Sequence, residues 1–407
     1  MPDREHDLVV YGASGFVGEL LAAYLAGAAP ADLRIALGGR SREKLEAVRS
    51  RLPAAARDWP LVVADSRDPA AIAALAESTR VLATTVGPYA RYGLPVVEAC
   101  ARAGTHYADL TGEVLFARDA IARTDAPARE SGARIVHACG FDSVPSDLAV
   151  LLLAECARAD DAGGLTDVRL VATVKGGFSG GTIDSLRAQV EAVGLDRSLR
   201  EVVGDPFALS PDRNAEPSTR QPADAGPPSR DSDGRWTAPF VMASFNTRIV
   251  RRSNAVQDWS YGRGLRYGEV MAAGRGISGA ATAVAVTAGL AGALGAMSFG
   301  PTRALLDRVL PAPGTGPDEA TRERGWFRME VDATTESGRR YRATAAGKGD
   351  PGYKATAVML GESALALALD GERLPDRAGS LTPASALGTV LADRLRAAGH
   401  EYTVTAV

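Results

Sequence analysis

Val10–Leu25, VYGASGFVGELLAAYL, is the stretch from which the fold is read. Gly12, Gly15 and Gly18 stand three residues apart where an apolar run, DLVVYG, gives way to a new pattern. In that pattern Phe16, Val17, Leu20, Leu21, Tyr24 and Leu25 recur at helical spacing. A strand, a glycine turn and an amphipathic helix in this order form the first half of a βαβ unit. The first glycine permits the tight turn, the second lets a charged group approach the backbone, and the third lets helix and strand pack closely. By itself such a triplet also fits a strand–helix turn that holds nothing.

The chain beyond this helix adds weight to the ligand-binding reading. Five more apolar runs, LRIALGG, PLVVAD, VLATTVG, HYADLTG and ARIVHACG, alternate with amphipathic stretches up to Leu153. Repeated alternation of this kind predicts an α/β fold with a doubly wound parallel sheet, a Rossmann-type dinucleotide-binding domain over residues 1–153. The unpaired amides and dipole of the first helix then favour a pyrophosphate at the glycine loop.

The rhythm changes after Leu153. TDVRLVATVKGGFSGGT reads as a strand, a glycine-rich turn and a helix capped by Thr182. Residues 205–235, crowded with Pro, Asp, Ser and Gly, read as a mobile excursion. Strands are expected again in PFVMASFNTRIV and GLRYGEVMA, a hairpin turning at Glu336–Ser337–Gly338, and helices near Thr356–Leu369 and Pro383–Ala398. The expectation is a second, α+β domain with a mostly antiparallel sheet over 154–360. A C-terminal part, 361–407, is expected to pack back on the first domain. Residues 276–302 carry no charge and consist mainly of Ala, Gly, Ser and Thr. They predict a packed helix or subunit interface first, contact with a membrane or lipid surface second, and a membrane span third.

A formal net charge of −3 gives no reason to expect nucleic acid as a partner. Three widely spaced cysteines and four scattered histidines form no metal pattern, and with no evident signal peptide the chain reads as cytoplasmic. Arginine outnumbers lysine 42 to 4, which draws attention to Lys44, Lys175, Lys348 and Lys354.

The end of the second strand discriminates between cofactors. GGRSREKL offers Arg40, Ser41 and Lys44 where NAD-binding folds usually place a carboxylate, so NADP(H) is expected, its 2′-phosphate paired by arginine. Ala13, Ser14 and Phe16 of the glycine loop, Asp65 on the adenine side, and Thr85, Val86, Gly87 and Pro88 after the fourth strand complete the expected cofactor contacts.

Ligands in such sheets sit beyond the carboxyl ends of the strands. The loops TTVGPYARYG, DLTGE and HACGFDSVPSD therefore bring Tyr89, Tyr107, Asp109, Glu113, His137, Asp142, Ser143 and Asp147 toward one edge. Tyr89 suits a proton donor and a lid over the nicotinamide equally well. His137 suits a donor or a buried, hydrogen-bonded histidine. Ser146 or Asp147 reads first as the N-cap of the following helix. Asp142, between Phe141 and Pro145, has few structural duties to perform. Lys175 before the glycine turn could approach a substrate carbonyl or simply end a strand. Arg248, Arg251 and Arg252 could hold a pantetheine phosphate or form the polar face of a strand.

GASGFVG, GGRS, TTVGPYARYG, YADLTGE, HACGFDSVPSDL, KGGFSGGT, NTRIVRRSN and GDPGYKATAVMLGESAL together resemble the saccharopine dehydrogenase-like oxidoreductases. The likeness is to the actinobacterial branch that includes trans-acting enoyl reductases of polyketide-lipid synthesis, from about Asp7 to Val404. The resemblance implies a Rossmann NADP domain, an α/β substrate domain and hydride transfer from NADPH to a C=C bond of a small-molecule or carrier-bound acyl thioester. Tyr89, Asp142, His137 and Lys175 are the candidates for the catalytic groups, with no metal. An acyl carrier protein or polyketide synthase, a second copy of the chain and a lipid surface are the partners these features allow. An amino-acid or imine dehydrogenase, or a non-catalytic NADPH-binding lipid-surface protein, are the other readings.

Overall fold

The computed structural model describes residues 4–176, 180–196, 198–297 and 316–407. The main chain alternates β1 (His6–Tyr11), α1 (Phe16–Ala28), β2 (Ile35–Gly39), α2 (Arg42–Arg51), β3 (Leu61–Val63), α3 (Pro69–Ser78), β4 (Thr79–Thr84), α4 (Tyr89–Ala103), β5 (His106–Ala108), α5 (Val114–Ser131), β6 (Arg134–Val136) and α6 (Val144–Ala159). β1 is buried along its whole length, as a central parallel strand covered on both faces requires. It pairs in parallel with β2 on one side and β4 on the other.

The second half adds β7 (Leu165–Lys175), α7 (Gly180–Leu195), α8 (Leu199–Gly204), β8 (Ser229–Arg230), β9 (Trp236–Pro239), α9 (Ala243–Val256), β10 (Arg266–Gly274) and α10 (Gly276–Met297). Next come the hairpin β11 (Trp326–Thr335) and β12 (Arg340–Lys348), turning through Glu336–Ser337–Gly338, then β13 (Gly379–Leu381) and β14 (Glu401–Ala406). Helices Thr356–Leu369 and Pro383–Ala397 stand where the periodicity puts them.

Among the described residues there are two seven-stranded sheets. The first, β13-β6-β5-β4-β1-β2-β3, is parallel throughout. The second, β14-β12-β11-β7-β10-β9-β8, is antiparallel except for the β7–β10 pair. The C-terminal segment serves both: β13 extends the first sheet beside β6, and β14 closes an edge of the second beside β12. Between the sheets runs α6, whose apolar residues join one core with Leu8 and Val10 of the first sheet and Phe327 and Met329 of the second.

Two expectations are corrected. PFVMASFNTRIV is not a continuous strand: β9 ends at Pro239 and the rest enters α9. Its Thr, Ile and Val mimic a strand locally, but Thr247 and Ser253 donate to the carbonyls of Ala243 and Ile249, four residues back, and the helix is buried. Residues 205–235, expected to be mobile, are fastened. Arg248 donates to the Val203 carbonyl at 2.8 Å, Arg251 to Pro206 at 3.1 Å and Arg252 to Leu209 at 2.6 Å. The three arginines are therefore neither a strand face nor open to a ligand phosphate. They are buried clamps that satisfy backbone acceptors at the end of α8 and in the irregular chain that follows it.

α10 is long and apolar enough to cross a membrane by length and composition, and 11% of its 18-residue window is buried. It lies against β9 and β10. Residues 298–302 of the uncharged run and the side chain of Thr182 lie outside the described residues.

Candidate active site

At the carboxyl ends of the first sheet a cleft of about 640 Å³ runs from the glycine loop to the start of α6 and α9. Gly12 has φ +92°, and a Cβ there would stand 2.8 Å from both Thr85 Oγ1 and Val86 Cγ2. At Gly18 a Cβ would lie 2.1 Å from the Gly12 carbonyl oxygen, so α1 starts as close to β1 as backbone allows. Gly15 caps α1 with no side-chain partner for the first-turn amides. Ser14, Gly15, Phe16, Thr85, Val86, Gly87 and Pro88 line the cleft. Ala13 is buried beneath them, its N–H donating to the Gly38 carbonyl at 3.1 Å.

Arg40 and Lys44 line the end of the cleft beside β2, exposed and without an ion pair among the described residues. Ser41 is the N-cap of α2, accepting from the Lys44 amide at 3.4 Å, and is not on the cleft wall. Asp65 is occupied by Arg67, whose Nε, terminal nitrogen and backbone amide donate to it at 3.1, 2.8 and 3.0 Å. Those bonds hold its carboxyl down to about 2, and Ser66 rather than Asp65 reaches the cleft. Two free cations and a hydroxyl, with the nearby carboxylate neutralised, fit a ribose carrying a 2′-phosphate.

At the other end stands Asp142, with Leu110, Gly112, Gly140, Met242 and Phe245 around it. Its Oδ2 is 3.6 Å from where a Cβ on Gly112 would be. No described residue donates to this carboxyl. The residue keeps partial access to the cleft, and enclosure by protein pushes its pKa up to about 7. The amide of Phe141 donates to Thr356 Oγ1 at 3.1 Å, which fixes the loop that carries Asp142.

The other expected catalytic groups are placed differently. Tyr89 borders the cleft, but its hydroxyl is buried, donating to the Thr84 carbonyl at 3.1 Å and accepting from the Leu110 amide at 3.0 Å. Burial raises its pKa well above the ordinary tyrosine value. His137 lies in the core below, its Nδ1 2.7 Å from Asp109 Oδ2 and its ring edge-on to Tyr107 and Phe116. Lys175 is exposed at the end of β7 and is not on the cleft wall.

Asp109 also accepts from the amides of Thr111 and Ala138, and Glu113 from those of Tyr89 and Ala90, so both carboxylates organise loops. Asp147 is not the N-cap of α6, a position held by Ser143. It accepts from Ser253 Oγ and from the Ala384 amide, in the first turn of helix Pro383–Ala397, and burial lifts its carboxyl to about 7.

Sequence reasoning missed several lining residues: Arg91, Tyr92, Ser185, Gln189, Met242, Ser244, Phe245, Tyr353 and Thr356. Arg91 and Tyr92 belong to the motif TTVGPYARYG, and Tyr353 and Thr356 to GDPGYKATAV. Met242, Ser244 and Phe245 were hidden by reading α9 as a strand. Tyr353 stacks edge-on over Phe16 with centroids 5.0 Å apart, bringing the second half of the chain over the glycine loop.

Comparison with known proteins shows a family with a nicotinamide cofactor. Residues 8–136 match the family model of the saccharopine dehydrogenase NADP binding domain. A Mycobacterium tuberculosis relative is 51% identical over 418 residues, covering 99% of this chain and 98% of its own. The trans-acting enoyl reductase of Mycobacterium bovis is 48% identical over 407 residues, covering 98% and 97%. Among solved structures, apo saccharopine dehydrogenase (L-Glu forming) of Saccharomyces cerevisiae aligns over 99% of this chain and 100% of its own, with a TM-score of 0.55 and 12% identity. That last likeness speaks for the fold.

Proposed function

The chain belongs to the trans-acting enoyl reductases among the saccharopine dehydrogenase-like, NADP-dependent oxidoreductases, and from that premise we propose that it reduces the C=C bond of an enoyl thioester in the cleft that ends at Asp142. The observation carrying this reading is the Asp142 carboxyl: it faces the cleft, no described residue donates to it, and burial keeps it protonated to about pH 7. A carboxyl in that state suits a general acid.

NADPH, when bound, supplies the hydride to the β-carbon of the substrate. Arg40 and Lys44 would hold its 2′-phosphate, and the glycine loop with the open amides of α1 its pyrophosphate. The Asp142 carboxyl gives its proton to the α-carbon and regains one from cleft solvent. Met242 and Phe245 add apolar surface to the same cleft, Met242 approaching Gly112 as the carboxyl does. Tyr89, Glu113 and the Asp109–His137 pair hold the loops after β4, β5 and β6, the last of which leads to Asp142.

A second reading, reduction of an imine to an amine, is favoured by Arg91, a cleft-lining cation with no ion pair among the described residues. A substrate carboxylate would suit it. Single-turnover oxidation of NADPH, followed at the nicotinamide absorbance with a medium-chain trans-2-enoyl thioester and with a 2-imino acid, separates the two. Turnover with the imine alone refutes the leading reading.

A further inference from the structure

A second cavity of about 1010 Å³ opens beside the first, and Ser244, at the start of α9, lines both. Its outer wall is the proline-rich segment that the buried arginines clamp. Arg251 Nε also donates to the Gln221 side chain at 3.1 Å, so the wall is built into the fold.

The charges of this groove do not balance. Asp224 is taken by Arg248 and by Thr247 Oγ1, and Glu216 accepts from Ser210 Oγ and Trp259 Nε1. Arg213 is engaged by Asp205 at 2.8 Å. Arg200 and Arg220 are exposed on the same groove with no side-chain partner among the described residues. The groove therefore meets the cofactor cleft at Ser244, and Arg200 and Arg220 stand on it without an ion pair among the described residues, arginines outnumbering the carboxylates of its lining. Along it run the half-buried Pro206 and Pro222, apolar surface for a flexible chain.

We propose that this groove takes the phosphate-bearing pantetheine arm of the thioester substrate, with Arg200 and Arg220 on the phosphate and the thioester passing Ser244 into the cleft. The proposal rests on the thioester reading above. The two cations suit a phosphate because guanidinium groups bind its oxygens in a fixed planar geometry. The arm occurs on coenzyme A and on carrier proteins, and the recognised chemistry is the same in both.

The test compares one enoyl group on four carriers: N-acetylcysteamine, pantetheine, coenzyme A and a phosphopantetheinylated acyl carrier protein. KM for the two phosphorylated forms is expected to be about tenfold below that for pantetheine, the size of an exposed charge-assisted contact. In the double variant Arg200→Ala/Arg220→Ala that ratio falls to about one. Calorimetric titration of 4′-phosphopantetheine against pantetheine gives the same comparison without turnover. A low KM with coenzyme A alone identifies the free thioester as the source, and with the carrier protein alone the carrier-bound arm. Equal KM values with and without phosphate, or a double variant that keeps the ratio, overturn the groove assignment. Failure of the wild type to reduce even the N-acetylcysteamine thioester overturns instead the enoyl reductase reading on which it rests.

Discussion

Replacing Asp142 with asparagine keeps the shape of the side chain and removes its proton-donating carboxyl. The exchange has two effects of opposite sign. General acid catalysis contributes about 10²–10⁴-fold, so kcat with an enoyl thioester is expected to fall by about 10² or more, with NADPH affinity little changed. Stability moves the other way. The Asp142 carboxyl rises from its ordinary 3.8 to about 7 because burial disfavours the anion. Well below its unfolded value it is neutral in both states and costs nothing. Between the two values the folded protein holds more protons than the unfolded chain, so stability falls as pH rises, and it levels off above the folded value. The gap corresponds to about 4 kcal/mol at about 1.4 kcal/mol per pH unit, and access to cleft solvent brings this to about 2. Asp142→Asn should therefore be more stable than the wild type at pH 8, by about 2 kcal/mol, and not at pH 4. Urea unfolding at the two pH values measures this, with kcat followed across the same range. The wild-type kcat should decline as pH rises through about 7 and the variant should lack that limb. A variant that keeps kcat within about threefold, or a wild-type kcat flat through neutrality, refutes the assignment.

Other perturbations probe the rest of the site. Arg40→Ala/Lys44→Ala should raise the NADPH Kd about tenfold while leaving NADH binding within about twofold, measured by nicotinamide fluorescence. Tyr89→Phe removes the bonds to Thr84 and Leu110, so it should cost about 1–2 kcal/mol in urea unfolding yet leave the alkaline limb of kcat in place; loss of the limb would mark Tyr89 as the proton donor. Gly18→Ala meets the Gly12 carbonyl and should abolish NADPH binding with a Tm drop of several degrees. Arg252→Met strands the carbonyls of Leu209 and Ser380 and should cost about 2–3 kcal/mol, with faster proteolysis between 205 and 225.

The first sheet was legible because its signals are local. Each strand is a short apolar run, each helix has its own period, and the glycines at 12, 15 and 18 do their work within one turn. The place of Arg40 and Lys44 at the end of the cleft was legible for the same reason, since they come directly after the second strand. α9 was misread because burial on every side erases the polar face by which a helix announces itself. Its arginines looked like a surface strip because the sequence does not show that backbone carbonyls from residues 203–209 come to meet them.

Asp142 shows the division at a single residue. Its position on a loop at the edge of the sheet is set by chain order, strand by strand. Its elevated pKa is set by tertiary structure, because α6 is held between two sheets and the loop before it is enclosed by Gly112, Met242 and Thr356, residues distant in the chain. Tyr89, Asp109 and His137 shared the same topological edge, yet packing turned their polar atoms inward onto backbone amides, a carbonyl and one another. The sequence alone determined which elements form and which edge of the sheet faces a ligand, since both depend on neighbours a few residues apart. Only the tertiary structure decided which side chains at that edge remain free to react, because their partners come from the far half of the chain.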